Sequence, residues 1–468
     1  MTPAFATIGD LIAAYRARET TPVAVAEAVF ARIEAIDCEL NAMVRLTRES
    51  AMEAAAASAA RWANGTPTGA LDGIPITVKD TLCVAGVPFR RGSRATPETP
   101  AAADAPAVAR AREAGAVIVG ITTTPEFGAG PLTISPLTGA TRSPWDTAMN
   151  SGGSSGGAAA SVAAGYVPAA LGTDAGGSIR IPAGFCGVVG LKPTGGRVPA
   201  FPPSAAGALA TPAAITRTVE DAALLLSIIA APDPRDPDAL PPVAPDWLDA
   251  QDAPVAGLKV ALSTDLGYAA RVEPEIVAAI RAAGAMIADL GVSLSEAHPD
   301  AADPIGAYNT LFQSGFGYAL RAYDADQRTL VGEHLLATAD KGAAVGLHAY
   351  LGAQDARRTL ARAYEDFFRR FDLLVTPMLA TTGVPATEWV PPAFADLPDP
   401  RAWTPFGYPV NLAMGTAITL PIALSSEGRP IGLQIIGPRF AEGRVLQLAR
   451  AIEAARGPFP TPPAYPAG

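Results

Sequence analysis

Two glycine-rich passages carry the chemistry of this chain: Gly152-Gly153-Ser154-Ser155-Gly156-Gly157 and, after an Ala-rich helical run, Gly172-Thr173-Asp174-Ala175-Gly176-Gly177-Ser178-Ile179-Arg180-Ile181-Pro182. Glycine permits positive φ and close backbone approach, so consecutive N–H groups can converge on one point, as a developing oxyanion requires. A phosphate-cradling loop is the rival reading. Neither passage matches GxxxxGK[ST] or GxGxxG, and no lysine follows the glycines at the spacing such a loop needs. A third reading takes both as structural loops that join strands to helices.

The flanking sequence supports that strand–loop–helix alternation. Apolar runs at Pro75–Val78, Ala116–Ile121, Leu258–Leu262 and Leu373–Thr376 alternate with Ala-rich helical segments, the pattern of a parallel or mixed sheet covered on both faces. Thr21-Pro22 supplies an N-cap and a proline at the first helical position, and Val25, Val29, Ile33 and Ile36 repeat at helical spacing. Ala417–Leu424 and Ile431–Ile436 read as a late hairpin, and Val445, Leu448 and Ile452 as one stripe of a C-terminal helix. From Pro232 to Pro254 the chain is dense in Pro, Asp and Ala, which reads as an exposed excursion, either a domain linker or, the simpler reading, a surface connection within one domain. No solenoid-length repeat is visible.

Composition narrows the function classes. With 468 residues, 49% hydrophobic and 17% charged, the chain has ample material for a large core and is not disordered. Thirty-five basic residues stand against 45 acidic ones, a balance unlike that of a protein that grips phosphate backbones. Cys38, Cys83 and Cys186 lie far apart without CxxC spacing, which excludes a disulfide framework and a thiolate zinc site and fits a reducing compartment. The N-terminus meets Asp10 before any long apolar run and does not read as a secretory signal, so a cytoplasmic location is expected. The most apolar stretch, 156–172, is too short and too rich in Ala and Gly to span a bilayer.

A serine nucleophile needs a base. The histidines, His298, His334 and His348, fall in one downstream region without a companion carboxylate motif, and no GxSxG elbow is present. Ile74-Pro75-Ile76-Thr77-Val78-Lys79-Asp80 instead places a lysine at the end of an apolar strand. Burial there disfavours the ammonium form, and bringing a lysine from about 10.4 to about 7 takes roughly 5 kcal/mol. The competing reading of Lys79 is a strand-end lysine that snorkels to water.

These motifs resemble the amidase signature family. The resemblance runs through both glycine passages and Lys79-Asp80, and continues through Phe185-Cys186-Gly187, Gly190-Leu191-Lys192-Pro193-Thr194, 372–377 and Gly432-Leu433-Gln434-Ile435. It covers nearly the whole chain. It implies a single α/β/α domain over 1–468 with a large mixed sheet, a signature core at 60–230, and a loosely matched region at 232–370 that covers the substrate side. It further implies a Ser–Ser–Lys triad: Ser178 attacks, and Ser154 relays the proton to neutral Lys79. The backbone N–H groups of Ala175, Gly176, Gly177 and Ser178 would line the oxyanion hole, and the peptide before the relay serine, Gly153–Ser154, would be cis. Asp174, Arg180 and Ser155 are expected to support the loops. No cofactor or metal is implied.

Three functions follow from this reading. The first is a stand-alone amidase, monomeric or homodimeric, acting on a small-molecule amide, ester or carbamate. The second is the glutaminase subunit of a tRNA-dependent amidotransferase; members of that branch typically carry Gln after Ser-Ile-Arg, where this chain has Ile181. The third is a silent binding module, which the presence of Lys79, Ser154 and Ser178 disfavours. Ala413-Met414-Gly415-Thr416 stands where many relatives carry Gly-Gln-Pro, so their leaving-group preference is not transferred. Tyr308, Phe312 and Phe316 fall at helical spacing among Tyr318, Tyr323 and Tyr350. They read either as core rings or as an apolar wall over the nucleophile loop; on the second reading they bind substrate together with Met149.

Overall fold

The computed structural model describes residues 4–242 and 246–465. Its main sheet is built from β1 (Met43–Leu46), β2 (Pro75–Lys79), β3 (Val117–Thr122), β4 (Ala169–Asp174), β5 (Val189–Lys192), β6 (Thr211–Thr216), β7 (Lys259–Leu262), β8 (Ser293–Glu296), β9 (Leu373–Pro377), β10 (Thr416–Leu424) and β11 (Pro430–Gly437). They lie in the order β1-β3-β2-β4-β6-β5-β10-β11-β9-β7-β8. Every residue of β2, β3 and β9 is buried, which is why these strands read as unbroken apolar runs. Strands β3, β2 and β4 run parallel, as do β9, β7 and β8, while β6, β5, β10 and β11 are antiparallel to their neighbours. The sheet is mixed, as expected.

Thr21 caps the helix Pro22–Leu40 by accepting the Ala24 N–H at 3.2 Å, and the late hairpin is β10–β11. The C-terminal helix Glu442–Arg456 buries Val445, Leu448 and Ile452. Two expectations need correction. The Pro232–Pro254 stretch is not wholly exposed: Trp247–Gln251 forms a short helix whose indole is buried near Gly443 of the C-terminal helix, because a tryptophan ring gains too much by burial to stay in water. Residues 243–245 of that stretch, like residues 1–3 of the N-terminus, lie outside the described residues. Nor is 232–370 only a cover, since β7 and β8 complete one edge of the sheet. Among the described residues no helix is long and apolar enough to cross a membrane.

Candidate active site

Because β2 and β4 are parallel neighbours, with Val78 opposite Leu171, their C-terminal ends open at the same edge of the sheet. That register brings Lys79 to Thr173. The Lys79 side chain is fully buried, its Nζ 2.8 Å from Ser154 Oγ and 3.0 Å from Thr173 Oγ1. Desolvation lowers its pKa to about 7, with the charge of Asp174 pulling the other way. The lysine does not snorkel. Thr173, to which the sequence alone assigns no role, also meets Thr81 Oγ1 at 3.1 Å.

The two glycine loops are tied together at this point. The Ser155 hydroxyl donates to the Thr173 carbonyl at 3.2 Å, and the Ser155 N–H to the Ser178 carbonyl at 3.0 Å. The Gly153–Ser154 peptide is cis. Below the second loop lies the buried carboxylate of Asp174, which accepts from the N–H groups of Gly177 (2.8 Å) and Ile179 (3.1 Å), from Arg180 Nε and Nη2 (3.0 Å each) and from Asn411 Nδ2 (2.9 Å). Burial alone would raise this carboxyl. The Arg180 charge and hydrogen bonds, with help from Lys192 and Asn411, outweigh it and hold the group well below the usual range. Arg180 in turn reaches Gln434 Oε1 at 2.7 Å and Asn411 Oδ1 at 2.6 Å. Asn411 and Gln434 stand far downstream in the chain, and nothing in their local sequence assigns them this place.

Ser178 is half-buried, and its hydroxyl forms no hydrogen bond with a described residue. Of the four N–H groups expected to face an oxyanion, that of Gly177, a residue at φ +119°, is taken by the Asp174 carboxylate at 2.8 Å. Those of Ala175, Gly176 and Ser178 donate to no described acceptor. Three of the four N–H groups are thus left without an acceptor among the described residues.

Two hollows flank the serines. One, about 20 Å³, holds Ser178 with Gly176, Tyr308, Phe312, Arg401 and Tyr408; the other, about 70 Å³, holds Ser154 with Phe89, Arg91, Phe127, Phe312 and Phe316. The helix Ile305–Ala319 supplies three of these rings. Tyr308 stacks on Phe312 and on Tyr408, each at 5.2 Å between centroids, and Phe312 meets Phe316 at 4.7 Å. A side chain at Gly176 would run into the Tyr308 hydroxyl, so glycine is required where the helix presses on the loop. These rings are core side chains that also line the two hollows, since the buried face of the helix is the face against the loops.

Met149 is a correction. It lies on the strand Asp146–Asn150, bridges to Pro385 and packs toward Gly383, and it lines neither hollow. Side chains alternate along a strand, and it is Asn150 that faces the loops, its Oδ1 accepting from Gly152 N at 2.9 Å and Thr133 N at 3.1 Å. The segment Ala413–Thr416 also lines neither hollow. His334 stacks on Trp389 at 3.7 Å, and burial lowers its pKa to about 4. Among the described residues Cys38, Cys83 and Cys186 are free, and no three His, Cys, Asp or Glu side chains gather as a metal set.

The sequence profile of the Amidase family matches residues 24–446. Among curated proteins the chain is similar to an acylamidase of Rhodococcus erythropolis, 35% identical over 96% of this chain and 94% of that one. It is equally similar to a glutamyl-tRNA(Gln) amidotransferase subunit of Gloeobacter violaceus, 35% identical over 96% of each. Among solved structures it resembles a bacterial aryl acylamidase of the amidase signature enzymes, with TM-score 0.90, 29% identity and 97% of each chain covered. The peptide amidase of Stenotrophomonas maltophilia superposes with TM-score 0.84, 28% identity and 98% of each chain covered. The matched range includes the Lys79 strand and both glycine loops, and the chain belongs to the amidase signature family.

Proposed function

We propose that the protein hydrolyses the C–N bond of a linear amide through an acyl-enzyme on Ser178, with Ser154 and Lys79 as the proton relay. Enzymes of this family hydrolyse amide C–N bonds. The observation that carries the assignment is a fully desolvated lysine 2.8 Å from a buried serine hydroxyl. As Ser178 Oγ bonds to the carbonyl carbon, its proton passes to Ser154 while Ser154 gives its own to the Lys79 amine. The oxyanion faces the N–H groups of Ala175, Gly176 and Ser178. When the C–N bond breaks, the proton returns through Ser154 to the leaving nitrogen. Water then attacks the ester over the same relay, releasing the acid and restoring Ser178.

The rings of Tyr308, Phe312 and Phe316 favour neutral aryl or alkyl groups beside the scissile bond, with esters and carbamates as secondary substrates. The similarity to a glutamyl-tRNA(Gln) amidotransferase component supports a second reading as a glutaminase, against which stands Ile181 after Ser178-Ile179-Arg180. A panel of amides, anilides, esters, carbamates, glutamine and asparagine separates the two. The expected result is a higher kcat/KM for neutral aromatic amides; a larger value for glutamine or asparagine than for all of them would overturn the preference.

A further inference from the structure

Arg91 opens into the cleft beside Ser154, yet it takes no part in the relay. Its guanidinium lies 4.7 Å from the Phe89 ring centroid and 5.3 Å from that of Phe127. It forms no ion pair and no side-chain hydrogen bond among the described residues, and its Nε is buried without an acceptor. Its neighbour Arg90, whose Nε is likewise buried without an acceptor, does pair with Glu98 through Nη1. Its terminal nitrogens are not buried, so Arg91 leaves an unpaired cation at the wall of the cleft.

The backbone here is unusual in the same place. Arg91 and Phe127 both adopt the left-handed conformation, at φ 54° and 55°, and the Phe127 N–H donates to the Arg91 carbonyl at 2.7 Å. Side-chain-bearing residues persist in that region only where surrounding structure enforces it, and such residues cluster at ligand sites. The nearby carboxylates are committed elsewhere. Asp80 accepts the N–H groups of Arg90 and Gly92, and Glu126 accepts from Ser93 Oγ and Gly332 N. No carboxylate of the described residues pairs with Arg91, which leaves its guanidinium free to meet one on a ligand.

We propose that Arg91 makes this cleft a carboxylate subsite, so that the favoured substrate is an amide whose apolar arm, acyl or amine, ends in an acid. Phe312 lines both the cleft and the hollow of Ser178, so an arm leaving the scissile carbonyl passes this ring on its way to Arg91. Two phenyl rings flank the guanidinium, a planar fork that can pair bidentately with a carboxylate. Substituents next to the scissile bond remain apolar. The inference rests on the amidase reading above, but the subsite is testable by binding alone.

Two matched pairs test it: adipic acid monoanilide against hexanoic acid anilide, and N-benzoyl-6-aminohexanoate against N-hexylbenzamide. At least one carboxylate member should exceed its neutral partner in kcat/KM by about tenfold, the scale of one added charge-assisted pair. Arg91→Met should bring that ratio to about one, and Arg91→Lys should keep part of it. Equal efficiencies in both pairs, or a ratio untouched by Arg91→Met, would overturn the subsite and leave Arg91 as a packing residue. Calorimetry on Ser178→Ala with the same four compounds reads the preference without turnover. An Arg91-dependent preference in binding with no hydrolysis by wild type would keep the subsite and sink the amidase reading.

Discussion

Lys79 and Lys192 make an instructive pair. Each ends a strand of the main sheet, each is buried, and each has its pKa lowered to about 7, by desolvation first; the Arg180 charge adds to it at Lys192. Their partners differ. Lys192 Nζ donates to the carbonyls of Pro193 and Gly415 at 2.7 Å each, and a carbonyl can only accept. Lys79 Nζ touches a carbonyl, that of Thr173, only at 3.4 Å, and sits closer to the hydroxyls of Ser154 and Thr173, which can also donate. A hydroxyl can hand a proton to the amine, whereas a carbonyl cannot. A perturbed lysine is thus a base or a brace according to what it touches, and the size of the perturbation does not tell them apart.

The largest effect expected is at the nucleophile. Ser178→Ala should abolish turnover and labelling by a fluorophosphonate while leaving the melting temperature nearly unchanged, since one oxygen is lost from a half-buried loop. Full labelling of that variant would remove Ser178 from its role. Next, Lys79→Ala should cost about 10³-fold or more in kcat, and Ser154→Ala about 10²-fold because water can stand in for the relay. A Ser154 variant more damaged than the Lys79 variant would reverse the order of the relay.

The pH dependence separates the two lysines directly. On the proposed relay neutral Lys79 is the working form, so kcat/KM should rise through about pH 7 and level off above it, in wild type and in Lys192→Met alike. An apparent pKa displaced by Lys192→Met but not by altering Ser154 would assign the titration to the wrong lysine. The smallest effect is on stability. Both lysines bind fewer protons folded than unfolded between about pH 7 and the ordinary lysine value of 10.5, so their burial weighs most against the fold below pH 7, and unfolding free energy rises with pH across that window. Lys192→Met should flatten that slope and, by leaving two carbonyls unpaired, cost about 1–3 kcal/mol in denaturant unfolding at pH 9. A slope left unchanged would show that Lys192 does not titrate in the native protein.

Strands such as Pro75–Lys79 and Leu373–Pro377 were legible because burial on both faces forces an unbroken apolar run. Trp247–Gln251 was not, because its partner is nearly two hundred residues downstream and its own composition reads as loop. The rings of the helix Ile305–Ala319 were visible by spacing, while their double duty was not. Met149 was misplaced for a similar reason. Sequence proximity to a glycine loop says nothing of which way a strand residue faces, and one step of alternation gave the position to Asn150.

What the sequence by itself determined is the α/β class, the lysine at a strand end and the two serine-bearing glycine loops, since each depends on local conformation and short spacing. Tertiary structure alone decided which groups meet. The parallel register of β2 and β4 sets Lys79 on Ser154 and Thr173, and the Asp174 carboxylate claims the Gly177 N–H that the motif offered to an oxyanion. It likewise leaves Arg91 without an acceptor while Arg90 beside it is paired. A side chain's chemistry is written in the chain, but its protonation and its use depend on solvent exclusion and on partners brought from distant elements, and only the folded molecule supplies both.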